Sequence, residues 1–419
     1  MRYLDLFSGI GAASGALKPL GWTCAALAEI HPASCRVLAQ HYPDIPNLGD
    51  VTRITDEQIA ALGPLDLVIG GSPCQGLSVA GKRKGLKDHR SGLFHEQMRI
   101  FHAAHHLCGA RFMLWENVPG AFSSNAGADF AAVVGAMAGA RIAVPADGWR
   151  NEGVVLGSAG LVEWSVLDAR WFHLAQRRER VFALLDTGDW SSRPPVLLES
   201  DAMRGAAGSH RPEESADPGD AADRDAAGGG RSRPAAAETI GAAEAPWREP
   251  KGGTREPAQA DSLSGARIPG LAIAIQAHSI GRGHGSGPEG KIYLDDNTAF
   301  TADSSFSSQA VAYCPQDGRS QFEVRRLTPL EHETLQGFPA GYTAVSISSH
   351  ERKRVSKNFA ETRWQANGDA WDLLLPDTAR YAALGNSFAV PVVNWIGRSL
   401  KRAIGVANGA AGTDDTVVN

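Results

Sequence analysis

Residues 65–78, with the sequence LDLVIGGSPCQGLS, constrain the fold and chemistry of this chain more than any other stretch. A short apolar run that ends at Gly70 and Gly71 is typical of a buried strand in a parallel sheet. Cys74 follows directly, at the sheet edge where α/β proteins bind ligands. A thiol on such a turn can ionise to the nucleophilic thiolate, although most free cysteines are simply small buried hydrophobic residues.

The N-terminus predicts a nucleotide-binding corner. A strand over residues 2–7 runs into a glycine-rich turn, residues 8–15, and we expect a helix to begin at Ala16. Glycine lets a cofactor approach the backbone, and a helix N-terminus offers free N–H groups. Gly9 and Gly11 do not match the dinucleotide fingerprint and no P-loop lysine follows, so the turn alone leaves the ligand open.

Three carboxylates follow predicted strand ends. Glu29 lies roughly twenty residues after the glycine turn, where a carboxylate commonly binds a ribose hydroxyl pair. Asp50, in Gly49-Asp50-Val51, follows a segment in the position of a third strand end and can accept from an adenine amino group. The alternative for Glu29 is a charge at the start of the helix near Pro32, and the alternative for Asp50 is an ordinary turn aspartate. Glu116 ends a strand predicted over residues 111–115, and there it can act as an acid toward a ring nitrogen.

Basic residues cluster in two places. A glycine-hinged loop after Cys74 carries them at positions 82, 83, 84, 87 and 90, and a helix is predicted over residues 91–107. Such a loop is either a solvated face or a mobile lid that contacts phosphates. Arg178 and Arg180 occupy alternate positions at the start of a predicted strand, so their side chains lie on one face of it. That face points either to the active site or to the solvent.

Composition sets the remaining bounds. The chain has 419 residues, 43% of them hydrophobic, which suits one large α/β domain and a smaller one. Five cysteines without a CxxC pair argue against a disulfide framework or a structural zinc site, so we predict no metal. A net charge of -5 means that any nucleic-acid contact must come from local basic clusters. The absence of a leader pattern and of long apolar runs predicts a cytoplasmic protein without a membrane span.

Eight motifs, in order, resemble those of the DNA (cytosine-5)-methyltransferases of the bacterial or phage type. They are DLFSGIG (5–11), AEI (28–30), GDV (49–51), GGSPCQGLS (70–78), ENVPG (116–120), QRRER (176–180), RRLTPLEHETLQGFP (325–339) and LGNSFAVPVV (384–393). One departure is His173-Leu174-Ala175, which replaces the Gly-Val-Pro usual before the glutamine of the arginine motif. The resemblance implies a Rossmann-like α/β methyltransferase domain with a mostly parallel sheet, plus a smaller irregular target recognition domain.

The resemblance also implies site residues. Cys74 would attack the base, Glu116 would act on its N3, and Arg180, assisted by Arg178, would hold its O2. The residues implied for S-adenosyl-L-methionine, which leaves as S-adenosyl-L-homocysteine, are Phe7, Gly9, Gly11, Glu29, Ile30, Asp50, Val51, Pro73, Leu93, Asn386 and Ser387. Those implied for DNA contact are Ser78, Lys82, Arg83, Lys84, Arg90 and Gln176.

The partners implied are double-stranded DNA and, in a restriction-modification system, a cognate restriction endonuclease; we expect a monomer. One alternative is an RNA (tRNA) cytosine-5 methyltransferase. The long middle region and the basic loop favour DNA over RNA as the substrate. The other is a catalytically silent DNA-binding relative. The intact Cys74, Glu116 and Arg180 argue against it.

We expect four regions along the chain. They are a catalytic domain (1–189), a target recognition domain (190–340), an inserted segment (341–377) and a C-terminal helix region that completes the catalytic domain (378–419). Within the second, residues 200–261 predict a flexible insertion because few apolar side chains other than alanine occur there. Short strands follow from Leu271, with base readers proposed at Gln276, His278, Arg282, His284 and residues 304–308. The basic run at 350–357 predicts a helix in segment 346–371, either contacting DNA or solvated.

Overall fold

The computed structural model describes residues 1–72, 92–198, 273–275, 293–294, 310–313, 323–350 and 364–407. All of them belong to one compact unit, Met1–Ser209 with Gly270–Asn419. The predicted flexible insertion at 200–261 and the proposed base readers (Gln276, His278, Arg282, His284 and 304–308) lie outside the described residues.

A seven-stranded sheet of order β2-β1-β3-β4-β7-β6-β5 forms the centre of this unit. Its strands are β1 (Arg2–Leu6), β2 (Thr23–Ala28), β3 (Leu67–Gly70), β4 (Phe112–Asn117), β5 (Glu152–Leu156), β6 (Leu161–Asp168) and β7 (Glu179–Asp186). The first four pair in parallel, whereas β7 is antiparallel to β4 and β6, and β5 is antiparallel to β6. The short turn between β5 and β6 allows only an antiparallel pair, so the sheet is mixed, with β1, β2, β3, β4 and β6 running in one direction.

Helices cover both faces of the sheet. They are α1 (Ala12–Leu17), α2 (Pro32–His41), α3 (Asp56–Ala60), α4 (Leu93–Cys108), α5 (Ala128–Ala138), α6 (Pro329–Gln336), α7 (Asp377–Gly385) and α8 (Val390–Ala407). A hydrophobic core lies on each face of the sheet, and neighbouring residues of β3 point into different cores. Ile69 packs in the cluster that contains Leu400, and Val68 packs in the cluster that contains Phe101. This alternation follows from the period of two along a strand. Among the described helices, none has both the length and the apolar composition that a membrane crossing requires.

The first helix begins earlier than predicted. It starts at Ala12 rather than Ala16, because Gly11 adopts a left-handed φ of 83° and ends the turn there. The last helix lies beside it: the Asn394 amide donates to the carbonyl of Ala16 at 2.7 Å. The packing is close, since a Cβ added at Gly397 would lie 2.6 Å from a methyl of Leu17. The end of the described chain therefore returns to the glycine turn at its beginning.

Two smaller sheets accompany the central one. The first is antiparallel, of order β11-β10-β8-β9, with β8 (Ile273–Ile275), β9 (Tyr293–Leu294), β10 (Ala310–Tyr313) and β11 (Glu323–Arg326). The second, of order β12-β14-β13, contains β12 (Ser346–His350), β13 (Trp364–Asn367) and β14 (Ala370–Leu374).

The helix predicted for segment 346–371 is wrong wherever the structure describes it. Those residues are the strands of the second small sheet, and Gly368, at a φ of 58°, makes the tight turn between β13 and β14. The basic run at 351–357 lies outside the described residues. Phe338, Tyr342 and Val345 join the same hydrophobic cluster as α1 and α8, so the chain around position 340 packs on the central sheet.

Candidate active site

The glycine turn and Glu29 form one unit, which we call the cofactor corner (residues 7–11 with Glu29). The Glu29 carboxylate accepts hydrogen bonds from the N–H groups of Gly9 at 2.8 Å, Ile30 at 2.9 Å and His31 at 2.7 Å. Apart from its chain neighbours, no heavy atom of the described residues lies within 4 Å of where a Cβ on Gly9 would be. The backbone is therefore open on the side from which a ligand can approach.

Two tyrosines support the cofactor corner from behind. The Tyr342 hydroxyl donates to the carbonyl of Ile10 at 2.8 Å, and the Tyr42 hydroxyl donates to the carbonyl of Gly11 at 3.3 Å. The Tyr342 ring also stacks on His41, with ring centroids 3.9 Å apart. Sequence reasoning missed both tyrosines. The only signal for Tyr342 is its place three residues after the QGFP motif.

Asn47 joins the second and third motifs. Its side-chain oxygen accepts from the N–H of Glu29 and from the N–H of Gly49, both at 3.0 Å. The strand end expected before Asp50 is absent from the described structure, where only an isolated parallel bridge joins Leu27 and Asn47. Asp50 nevertheless comes to the same sheet edge as Glu29, because Asn47 ties the two segments together.

The remaining predicted residues of this region differ in exposure. Ile30 is 67% exposed beside Glu29, whereas Val51 is buried. The Asp50 carboxylate accepts from the N–H of Thr52 at 3.0 Å, and this hydrogen bond lowers the pKa of Asp50. Asp50 therefore also has the turn-capping role of an ordinary turn aspartate. Leu93 begins α4 and is partly buried.

A second group of residues, which we call the catalytic edge, lies where β4 ends and β7 begins. It comprises Glu116, Arg178 and Arg180 with Gly71. Arg180 Nε lies 3.2 Å from Glu116 Oε1, and the two side chains are only 16% and 13% exposed. Glu116 pairs opposite Phe182, which places Arg180 on the diagonal within reach.

The environment of Glu116 favours its protonated form. Burial raises the pKa of the Glu116 carboxyl, and the positive charges of Arg180 and Arg178 only partly oppose this. A raised pKa shifts the carboxyl toward its protonated form, which is the form that the predicted acid toward a ring nitrogen needs.

The segment that leads to Cys74 is packed against Glu116. A Cβ added at Gly71 would lie 2.9 Å from Glu116 Oε2 and 2.9 Å from Cε1 of Phe388. The next residue, Ser72, accepts a hydrogen bond from the indole N–H of Trp115 at 3.0 Å. The chain is thus held beside the carboxylate two residues before Cys74, which itself lies outside the described residues.

Arg178 faces inward rather than toward solvent. It is 3% exposed, and its Nη2 donates to the carbonyls of Gly385 at 3.0 Å and Ser387 at 2.6 Å. Burial lowers the pKa of this guanidinium well below its usual value. Since Arg178 and Arg180 both act on the charge of Glu116, the face they share is the catalytic edge.

The remaining predicted positions differ in burial. Gln176 is fully buried, so a direct contact with DNA would need its surroundings to move. Of the two residues predicted to close the donor pocket, Ser387 is buried and Asn386 is exposed. Among the described residues, no group of histidine, cysteine, aspartate or glutamate side chains can hold a metal ion. The predicted residues outside the described ranges are Pro73, Cys74, Ser78, Lys82, Arg83, Lys84 and Arg90.

Known proteins resemble this chain in sequence over its first half. A family model described as C-5 cytosine-specific DNA methylase matches residues 1–189. The Type II methyltransferase M.AquIA of Picosynechococcus is 35% identical over 187 residues, which cover 43% of this chain and 70% of that protein. The chain belongs to the C-5 cytosine-specific DNA methylase family. The predicted resemblance is therefore confirmed.

One further protein and one solved structure align over most of the chain. A protein of Escherichia phage P1 named DNA N-6-adenine-methyltransferase is 28% identical over an alignment of 466 residues. That alignment covers 96% of this chain, and the chain spans 61% of the length of the phage protein. The crystal structure of S. pombe Dnmt2 methyltransferase aligns with a TM-score of 0.52 at 14% identity, covering 96% of this chain and 98% of that one. The predicted fold class is confirmed.

The family and the fold of this chain imply S-adenosyl-L-methionine as the methyl donor. The cofactor corner fits such a group. The backbone at Gly9 is open, the Glu29 carboxylate lies at the end of β2, and Ile30 presents an exposed apolar surface beside it. An open glycine turn followed by a carboxylate at the next strand end is the usual arrangement for binding a nucleoside.

Proposed function

We propose that this chain is a DNA (cytosine-5)-methyltransferase that transfers a methyl group from S-adenosyl-L-methionine to C5 of a cytosine flipped out of double-stranded DNA. The observation that carries the proposal is the mostly buried Glu116–Arg180 pair, with the Glu116 carboxylate packed against Gly71 just before Cys74. Membership in the C-5 cytosine-specific DNA methylase family supports the choice of base.

The cofactor corner would hold the donor. Glu29 would accept from the ribose hydroxyls, and the open backbone at Gly9 would lie against the methionine part. Gly11 would shape the turn, since its own Cβ position is filled by Tyr42 and Leu38. Asp50 and Ile30 would flank the adenine, and Asn386 and Ser387 would close the pocket from the C-terminal side. The bound donor supplies the methyl group.

The catalytic edge would activate the base. C5 of cytosine is a poor nucleophile, and the base must first leave the helical stack at a cost of a few kcal/mol. The Cys74 thiolate would form a bond to C6 while Glu116 donates a proton to N3, so that electron density collects at C5. Arg180 would hold O2 and favour the thiolate through its positive charge.

The reaction then returns the enzyme to its starting state. Once C5 carries the methyl group, a water or other base removes the C5 proton, and the electron pair of that C–H bond restores the C5–C6 double bond. The bond between sulfur and C6 breaks, which regenerates the Cys74 thiolate. The N3 proton returns to Glu116, and 5-methylcytosine leaves the site.

The name of the phage P1 relative favours a second candidate, methylation of adenine at N6. Since this chain spans only 61% of that relative, the activity in its name can belong to the part without a counterpart here. The C-5 cytosine-specific model matches residues 1–189, which contain Glu116, Arg180 and Cys74. Cytosine is therefore the base we propose.

A labelling experiment separates these candidates. DNA from a host without cytosine methylation would be incubated with the full chain and methyl-labelled donor, digested to nucleosides and analysed, with tRNA in parallel. We expect label in 5-methylcytosine from DNA, its loss in Cys74→Ala, and its retention in the control Cys108→Ala, whose thiol contacts Ile59 far from the edge. Label in N6-methyladenine alone, label only in tRNA, or full transfer by Cys74→Ala would overturn the proposal.

A further inference from the structure

We propose that Arg178 is a positioning residue that holds the turn at residues 385–388 in place and thereby couples the donor pocket to the Glu116–Arg180 pair. This inference rests on the proposed function, because that function assigns Asn386 and Ser387 to the donor and Glu116 to the base. It also gives Arg178 a different role from holding the O2 atom of the base.

The first support is the position of the guanidinium at the end of a helix. α7 ends at Gly385, and the last carbonyls of a helix have no partner within the helix and carry partial negative charge. Arg178 Nη2 donates to the carbonyls of Gly385 and Ser387, on either side of Asn386. Two charge-assisted hydrogen bonds from one buried group define the path of the chain through that turn.

The second support is the contrast with Arg180. Arg178 is 3% exposed and directed toward backbone carbonyls, whereas Arg180 is more exposed and lies 3.2 Å from the Glu116 carboxylate. A group that touches the base must present hydrogen-bond donors to the site. Arg180 Nε lies at the Glu116 carboxylate, whereas Arg178 Nη2 donates to the carbonyls of the turn.

The third support is a continuous route from the turn to the acid. Phe388 follows Ser387 directly, and its ring and the Glu116 carboxylate both lie 2.9 Å from the position that a Cβ on Gly71 would occupy. A displacement of residues 385–388 would therefore move the wall that packs beside Glu116. The positive charge of Arg178 also acts directly on the Glu116 carboxyl, together with that of Arg180.

The test measures binding of S-adenosyl-L-homocysteine to the full chain without DNA, by titration calorimetry. Loss of two charge-assisted hydrogen bonds should weaken binding about tenfold or more in Arg178→Gln. Arg178→Lys, which keeps the charge, should restore part of the loss. The matched control is Arg177→Gln, the neighbouring exposed arginine, which should bind as the unmodified chain does. Affinities within about twofold of the unmodified chain for both Arg178 variants would overturn the proposal.

Kinetics with Arg178→Lys keep the inference testable if Arg178→Gln does not fold. A positioning role predicts a raised KM for the donor with a smaller change in kcat, whereas Arg180→Lys should lower kcat and leave that KM nearly unchanged. A fall in kcat alone for Arg178→Lys would place Arg178 on the base and contradict the inference.

The binding measurement also separates this inference from the proposed function. The titration needs no acceptor base, so weakened binding in Arg178→Gln would stand even if the labelled product were N6-methyladenine. Conversely, 5-methylcytosine formation with unweakened binding in both Arg178 variants would leave the function in place and remove the role given to Arg178.

Discussion

The cofactor corner and the catalytic edge lie at the same side of one sheet but are built differently. At the corner, Glu29 accepts from backbone N–H groups close by in the chain, and neutral tyrosine hydroxyls support the turn. At the edge, Arg178 is buried and Glu116 and Arg180 are mostly buried, and the charges of the three groups act on one another. Arg178 also donates to the end of α7. Changes at the corner should therefore weaken donor binding. Changes to the Glu116–Arg180 pair should lower the rate of methyl transfer instead, because these two groups would act on the base. Arg178 and Gly71 contact both the edge and the turn at residues 385–388, so changes there should also reach the donor.

The largest difference between the two regions is expected from Glu116→Gln, which should lower the rate of methyl transfer without weakening donor binding. Glutamine keeps the shape of the side chain but cannot donate a proton to N3, so the single-turnover rate of methyl transfer should fall roughly 10²-fold or more. Affinity for S-adenosyl-L-homocysteine should stay within about twofold of the unmodified chain. An unchanged single-turnover rate would mean that Glu116 is not the acid.

Gly71→Ala should affect both regions at once. Its added methyl would meet Glu116 Oε2 and the Phe388 ring, each at 2.9 Å, so one of them must move. We expect a loss in single-turnover rate of about tenfold or more, together with weaker donor binding. The control is Gly15→Ala in α1, where the nearest atom, the Tyr42 hydroxyl, lies at an ordinary 3.7 Å. Equal rates for both variants would show that the fit at Gly71 is unimportant.

Tyr342→Phe tests the corner alone. It removes the hydrogen bond to the Ile10 carbonyl but keeps the ring that stacks on His41, so donor affinity should fall about two- to tenfold. The methyl-transfer rate at saturating donor should change little. Tyr381→Phe is the matched control, because its hydroxyl donates to the carbonyl of Leu327, away from the corner. If Tyr381→Phe weakens donor binding equally, the effect is one of general stability.

The smallest expected effect is a change in thermal stability at Asp5, a residue of β1 just before the cofactor corner. Asp5 is fully buried, and neither of its side-chain oxygens has a hydrogen-bond partner among the described residues. Burial and then the charge of Glu29 raise the pKa of Asp5 well above its ordinary value of 3.8, although the Ser8 hydroxyl opposes this. The folded chain therefore keeps a proton that the unfolded chain releases above that value.

The stability from this proton is fully present below the unfolded pKa and is lost as pH rises through the folded pKa. An asparagine side chain has nearly the shape of a protonated aspartate and does not titrate. Asp5→Asn should therefore melt a few degrees higher than the unmodified chain at pH 8, with a smaller difference at pH 5. The measurement is thermal unfolding at both pH values. A difference in Tm that does not change with pH would contradict this account.

Local pattern was enough to predict the strands of the parallel half and the placement of Glu116. Short apolar runs such as those around residues 24–28, 67–70 and 112–115 are typical of strands in a buried sheet. Because these strands are parallel, the polar residues that follow them meet at one edge of the sheet. The pattern failed in segment 346–371, where basic residues suggested a helix although the described residues form strands. There, β13 and β14 pair across a tight turn and β12 pairs with β14, and this antiparallel pairing overrode the local preference.

By itself, the amino-acid order determined the family, the fold class and the residue types at the sheet edge, since these follow from short motifs and from the periods of strands and helices. Only the tertiary structure decided that Arg178 caps α7, that Tyr342 supports the glycine turn and that Phe388 and Glu116 both pack close to Gly71. Each of these contacts joins segments that lie about two hundred or more residues apart. Such pairings depend on how the whole chain packs, and no local pattern of residues encodes them.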